Sequence, residues 1–239
     1  MTTRAHYTTT PQRVSTLAAA DVEAMYQVMC AHFENVDRGQ FERDLLEKTW
    51  VYRVTEQSSG RLAGFSTMVP LVTEVDGQTI SAMFSGDTVL EPACWGDRQF
   101  VRVVGRHLFD LAAEMPAGPV YWLLLTCTYR SYRFLPGFYL EYWPRADRPM
   151  PPEVARRLEA LVRLKFPDQY DASRGVVALD QQTPVRDGRA EIPARQLEDP
   201  HVAFFLRANP GYARGDFLAC LTLHAPSNVN ALGRRLWGL

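Results

Sequence analysis

The chain has 239 residues, 46 % of them hydrophobic and 22 % charged, and its 26 Lys and Arg against 27 Asp and Glu leave a formal net charge of −1. One domain of this length buries roughly 70 % of its unfolded surface, so neither disulfides nor a structural metal is needed to hold a core. The charge balance gives no general attraction for nucleic acid, which rests on concentrated Lys and Arg. Cys30, Cys94, Cys127 and Cys220 lie far apart without C-x-x-C spacing, which predicts buried free thiols rather than zinc or a redox pair. Met1 to Val14 is polar and carries no apolar signal-peptide region, and the longest apolar run, Val120 to Leu125, is far below the ~20 residues of a membrane span. A cytoplasmic protein without a membrane span is therefore expected.

Taken in chain order, residues 1–13 read as a flexible N-terminus. A helix is predicted from Ala19 to Phe33, with Val22, Met25, Tyr26, Met29 and Phe33 on one face. A second short helix starts behind Asp37 as N-cap and buries Phe41, Leu45 and Leu46. The period then changes. Val51–Val54 and Arg61–Val75, the latter broken near Pro70, read as strands. Asp76-Gly77 is a hairpin turn, and Thr79–Leu90 is the returning strand. Asp97–Glu114 is a long amphipathic helix, followed by a central strand over Val120–Leu125. Beyond a Pro- and Arg-rich joint at Pro144–Pro152, helices are expected at Glu153–Phe166 and Val202–Arg207, with another over Asn228–Trp237. Strands are expected there at Gly175–Leu179 and Phe217–Leu223. The helix between the strands ending at Leu90 and starting at Val120 is a crossover, which allows those strands to run parallel. The expected fold is a mixed α/β sheet, mostly antiparallel, flanked by helices.

The sequence has no H-E-x-x-H, G-x-S-x-G, Walker loop or G-x-G-x-x-G, and its five histidines are scattered. Catalysis by positioning and proton transfer is the class that remains. One junction concentrates suitable groups: Ser85-Gly86-Asp87-Thr88-Val89-Leu90-Glu91-Pro92, then Ala93-Cys94-Trp95-Gly96-Asp97-Arg98-Gln99-Phe100. A strand there feeds a helix whose first N–H groups and dipole favour an anion, with Arg98 adding charge and Asp97 as N-cap.

In this order of elements the first half resembles the core of the GNAT acyltransferases. In that family the loop after the central strand follows V-x-P-x-x-R-G-x-G-x-G/A and wraps the coenzyme A pyrophosphate. Val89-Leu90-Glu91-Pro92 and Trp95-Gly96 match its opening, with Trp95 in place of the Arg and with Arg98 and Phe100 in place of the later glycines. Tyr132-Arg133-Phe134-Leu135-Pro136-Gly137-Phe138 is similar to the family's Tyr-bearing short helix. The resemblance implies a GNAT-like core over residues 14–149, with residues 150–239 as a C-terminal extension that packs on it and adds strands and helices. It implies an acyl-CoA or acyl-phosphopantetheine thioester donor, no metal, and Val89, Leu90, Trp95, Gly96, Arg98 and Gln99 as donor-binding residues, with the N–H groups near Val89 and Leu90 polarising the carbonyl. Asp87 and Glu91 are the candidate bases and Tyr132 the candidate general acid. The acceptor would be an amine of a small molecule, amino acid or peptide in a bacterial biosynthetic pathway, and the protein a monomer or homodimer.

The substituted glycine loop and the aromatic residues between Tyr121 and Trp143 suit a longer acyl group. Arg98, Arg102 and Arg106 recur on one helix face, a stripe that suits either plain solvation or an acidic acyl carrier protein. The alternative is a GNAT-like module that binds an acyl thioester without turning it over.

Overall fold

A computed structural model of the chain describes residues 6–116, 118–179, 184, 186 and 192–239. Eight strands form one sheet in the order β1-β2-β3-β4-β5-β8-β7-β6. The central strands follow their side-chain patterns: β2 (Trp50–Glu56), β3 (Leu62–Val75), β4 (Gln78–Leu90) and β5 (Val120–Thr126). The Asp76-Gly77 hairpin turn has φ of 53° and 75°, the left-handed pair that matches strand twist. β4 and β5 are parallel, and α3 (Arg98–Ala113) crosses between them; every other neighbouring pair is antiparallel.

β3 runs through Pro70 without the expected break. Pairing with β2 ends at Met68, so a residue without an N–H leaves no ladder bond unmade at position 70. The expected flexible N-terminus is also corrected. Residues 1–5 lie outside the described residues, but Tyr7–Arg13 forms β1 and pairs with β2 over its whole length. Its sequence, YTTTPQR, buries only Thr9, so no alternating apolar signal marks it.

On one face of the sheet α1 (Ala19–His32) and α2 (Arg38–Leu46) pack Met25, Phe41 and Leu45 on Phe65 and Val89. Asp37 caps α2 through the Gln40 N–H at 2.7 Å. Leu46, expected in the core, is 78 % exposed because the helix ends there and turns it outward. The opposite face is covered by α3, whose Phe100 and Leu108 meet Tyr52, Met68 and Met83.

The second half continues the sheet. Short helices α4 (Tyr129–Tyr132) and α5 (Phe134–Phe138) follow β5. α6 (Pro152–Arg163) buries Leu158 and Leu161 against Ile80, Phe84 and Leu123. Strands β6 (Tyr170–Asp171) and β7 (Val176–Val177) are shorter than the expected Gly175–Leu179 run. Then come α7 (Ala194–Leu197), α8 (Pro200–Ala208), β8 (Phe217–Leu223) and α9 (Ala231–Trp237). β8 pairs with β5 from Leu218 to Leu223, so the ladder crosses the Pro-rich joint at 144–152 without a break. Of the four free cysteines, Cys94, Cys127 and Cys220 are buried and Cys30 is partly so.

Candidate active site

The site begins with a break in register. Ser66 faces Thr88 while Met68 faces Ser85, so Thr67 stands opposite both Gly86 and Asp87. One extra residue in β4 makes a β-bulge, which re-aims the side chains beyond it. At the same point β4 and β5 part: their pairing runs from Ser81/Val120 to Ser85/Leu124 and stops, although both strands continue. A wedge-shaped gap opens between Gly86–Leu90 and the end of β5.

The bulge also decides which backbone groups face this gap. Before it, the Ser81 N–H bonds to Pro119 O, so odd-numbered residues of β4 face β5. After it, the Glu91 N–H bonds to Ala63 O. Antiparallel alternation then gives the Val89 N–H to Phe65 of β3 and turns those of Thr88 and Leu90 into the gap. Of the pair expected from sequence, the Leu90 N–H faces the gap while the Val89 N–H faces β3. Thr88 was not among the expected residues, and the signal for its orientation was Gly86, an isolated glycine inside a strand pattern. Gly86 is required there, since a Cβ would lie 2.4 Å from Thr67 Oγ1 and 2.5 Å from Lys48 Cε.

Asp87 is half-buried on the α1–α2 side of the gap. Burial pushes its carboxyl above the ordinary carboxylate value, with Asp44 adding to the rise and Lys48 opposing it. Beside it the Thr67 hydroxyl is buried with no hydrogen-bond partner among the described residues. The Cys127 thiol, just past β5, is pushed up to about 12 by burial, and the Asp87 charge contributes to that rise.

The other two catalytic candidates do not join Asp87. Glu91 is held by Arg61 in a two-pronged ion pair, with Nη2 to Oε2 at 2.9 Å. Tyr132 is fully buried between Tyr142, Phe204 and Phe205, and its hydroxyl donates to Pro144 O at 2.9 Å. Burial raises its pKa, and the ring belongs to the core rather than to the gap. α4 packs against α8, which places the ring among Val202 and Phe205.

The open end of the gap is occupied. Leu90 O accepts from the Trp95 indole N–H at 3.0 Å, and His32 Nε2 lies 3.1 Å from the same oxygen. The Arg130 guanidinium stacks 4.0 Å from the Trp95 ring centroid. Gly96 has φ of 81°, and Asp97 caps α3 through the Gln99 N–H at 2.7 Å. The Asp97 carboxylate therefore occupies part of the helix end that was expected to receive an anion. The Gln99 Oε1 is buried without a partner among the described residues.

Positive charge gathers instead along the side of α3. A cleft of about 1160 Å³ is lined by Arg98, Arg102 and Arg106, by Arg130 and Arg133, and by Arg235 of α9. Its one acidic lining residue, Asp110, pairs with Arg106 at 3.3 Å. Arg98, Arg102, Arg130 and Arg235 have no ion-pair partner among the described residues, so the cleft is strongly anion-attracting. Sequence periodicity disclosed the first three arginines; the others come from α9 and from the α4–α5 segment.

Among the described residues no cluster of His, Cys, Asp and Glu could hold a metal, and no helix is long and apolar enough to cross a membrane. His107 and His224 are structural. His107 Nδ1 meets the Tyr52 hydroxyl at 3.0 Å, while His224 is buried against Phe109 with Nδ1 2.9 Å from the Tyr139 hydroxyl. Burial drops His224 to about 3.

No protein-family model and no curated protein matches the sequence. Solved structures do match in part. A probable N-acyltransferase from Enterococcus faecalis is 17 % identical with a TM-score of 0.43, over 59 % of this chain and 37 % of its own. A GNAT family N-acetyltransferase from Escherichia coli, solved with CoA, is 16 % identical with a TM-score of 0.39, over 59 % and 73 %. The Saccharomyces cerevisiae N-myristoyltransferase with bound myristoyl-CoA is 11 % identical with a TM-score of 0.40, over 50 % and 31 %. This chain thus spans little more than a third of the first of these. The chain's own geometry is a mixed, mostly antiparallel sheet with the crossover α3 and a parallel pair that parts.

Proposed function

We propose that this GNAT-like protein is an N-acyltransferase that moves an acyl group from a phosphopantetheine-type thioester to an amine of a small molecule, amino acid or peptide. The observation that carries this reading is the parted β4–β5 pair, with the bulge turning the Thr88 and Leu90 N–H groups into the gap. An acyl thioester lying along β4 would place its carbonyl oxygen before those donors, which stabilise the oxyanion of a tetrahedral intermediate. The amine approaches from the α1–α2 side, where Asp87 accepts its proton. The C–N bond forms, the intermediate collapses, and the C–S bond breaks to release a thiolate, which then takes up a proton.

The arginine cleft fits a donor with a negatively charged distal part. Acyl-CoA supplies this as phosphates, and an acyl carrier protein as acidic side chains beside its phosphopantetheine. Arginine side chains would do here what backbone wrapping by glycines does in the family loop.

Thermal-shift titration with acyl-CoA and free CoA tests the donor, and thiol release with a panel of amines tests the reaction. Stabilisation with amine-dependent thiol release is the expected result. Neither stabilisation nor thiol release with acyl-CoA or with acylated carrier protein would overturn the reading. A second reading, an acyl-thioester binding module without turnover, is favoured by the Trp95 indole and Arg130 that cover the open end of the gap. Its mark is stabilisation with no thiol release for any amine.

A further inference from the structure

Behind the gap, on the α3 side, lies a second and smaller cavity of about 60 Å³, separate from the arginine cleft. Ser85 and Thr88, the β4 residues on either side of the bulge, belong to its wall, so it adjoins the place where the strands part. Val104 and Leu108 of α3 line it together with three large rings, Trp122, Tyr139 and Trp237.

The polar side-chain tips of that wall are already engaged. Ser66 Oγ and Thr88 Oγ1 bond to each other at 2.7 Å, and the Trp122 indole donates to Ser85 Oγ at 2.7 Å. The Tyr139 hydroxyl meets His224 Nδ1 at 2.9 Å, and the Trp237 indole donates to Val101 O at 3.0 Å. Each ring thus spends its polar tip elsewhere and leaves apolar surface for the cavity. Water needs two to four polar partners to be held in such a space, and here the side-chain ones are taken.

Val101, Phe134 and Trp237 line both this cavity and the arginine cleft, so they are the partition between them. Trp237 lies directly on α3 at Gly105, where a Cβ would come 2.1 Å from its indole nitrogen. A glycine at 105 is what lets the C-terminal helix lay its tryptophan across the end of the cavity.

We propose that this cavity is the chamber for the donor's acyl chain and that Trp237 sets the length it accepts. The proposal rests on the N-acyltransferase reading and adds a substrate class to it: straight apolar chains of short to medium length. At about 10–15 Å³ for one enclosed water, the chamber holds about four to six water-sized groups, comparable to a butanoyl-to-hexanoyl chain. Longer chains would have to displace Trp237 toward the cleft.

The test uses S-acyl-pantetheines from acetyl to dodecanoyl, which lack both the nucleotide and the carrier protein, with binding followed by tryptophan fluorescence and thermal shift. Affinity should rise by about fourfold per added methylene and then break near hexanoyl. Val104→Phe, which fills the chamber, should move the break to shorter chains; Trp237→Ala should move it to longer ones. Trp237 is also a core residue, so Val104→Phe keeps the test decisive if Trp237→Ala does not fold. Binding of acetyl and longer thioesters with no chain-length dependence, or a profile that Val104→Phe leaves unchanged, would overturn the chamber and leave the N-acyltransferase reading standing. No binding of any acyl-pantetheine, acyl-CoA or acylated carrier protein would overturn both.

Discussion

The two faces of the β4–β5 gap are built from different chemistry. On the α1–α2 side stand Asp87 with its raised pKa, Lys48, Asp44 and the Thr67 hydroxyl, which has no partner among the described residues. On the α3 side the polar tips are paired among themselves, and the space beyond is apolar, with arginines only at the outer cleft. The bulge produces this division, because the extra residue in β4 keeps Asp87 on one face while it turns the Thr88 and Leu90 N–H groups to the middle. A carboxyl group held at one face of a gap and an apolar cavity at the other suit two substrates that meet from opposite sides.

The sharpest way to break this picture is Asp87→Asn. Loss of a general base should lower turnover by about 10²–10⁴-fold while donor binding stays unchanged, as thiol release and thermal shift would report. Loss of donor binding instead would mean that Asp87 belongs to the donor side. The pH dependence has a defined sign. With the folded pKa above the unfolded value, the stability contributed by this group is full below the unfolded value and lost as pH rises through the folded one. Asp87→Asn should therefore melt higher than the wild type at pH 7, with the difference closing in acid.

His224, on the α3 side, has the opposite sign. Its pKa is held at about 3, far below the ordinary 6.5, so its contribution is present above the unfolded value and lost as pH falls below it. Stability should fall by about 1.4 kcal/mol per pH unit through that window. His224→Gln, which does not titrate but can still meet the Tyr139 hydroxyl, should flatten the acid limb in chemical denaturation series. An unchanged acid limb would assign the acid sensitivity to other groups.

Gly86→Ala probes the bulge itself. The Lys48 chain can swing away from the new methyl, but Thr67 is fixed in β3, so a cost of about 1–3 kcal/mol is expected from the denaturation midpoint. Turnover should fall as well, because the shift moves both Asp87 and the Thr88 N–H. Activity without change would show that the bulge geometry is dispensable.

Much of this architecture was legible in local sequence, and the exceptions have physical causes. Periodicity marked α1, α2, α3 and β5, and Asp76-Gly77 marked the hairpin, because each depends on neighbours within a few residues. β1 was illegible because YTTTPQR holds its place by pairing with β2, a contact with no local pattern. The partners of Tyr132 and Glu91 were hidden for one reason: Pro144 O and Arg61, which engage them, are 12 and 30 residues away. The partition at Trp237 was wholly hidden, since its hydrogen bond to Val101 spans 136 residues.

Glu91 gives the smallest expected effect and separates the two carboxylates that sequence parity had grouped. Arg61 is half exposed, so its bond to Glu91 is screened, and Glu91→Gln should cost about 0–1 kcal/mol in a denaturation midpoint. Tyr132→Phe should cost more, about 1–3 kcal/mol, because it leaves the Pro144 carbonyl without its donor. Neither should change turnover per folded molecule, since neither side chain reaches the gap. If Glu91→Gln instead lowered turnover as far as Asp87→Asn, the base would have to lie beyond the end of β4. The bulge would then not be what positions the base, because Glu91 stands past it on backbone that is bonded to Ala63.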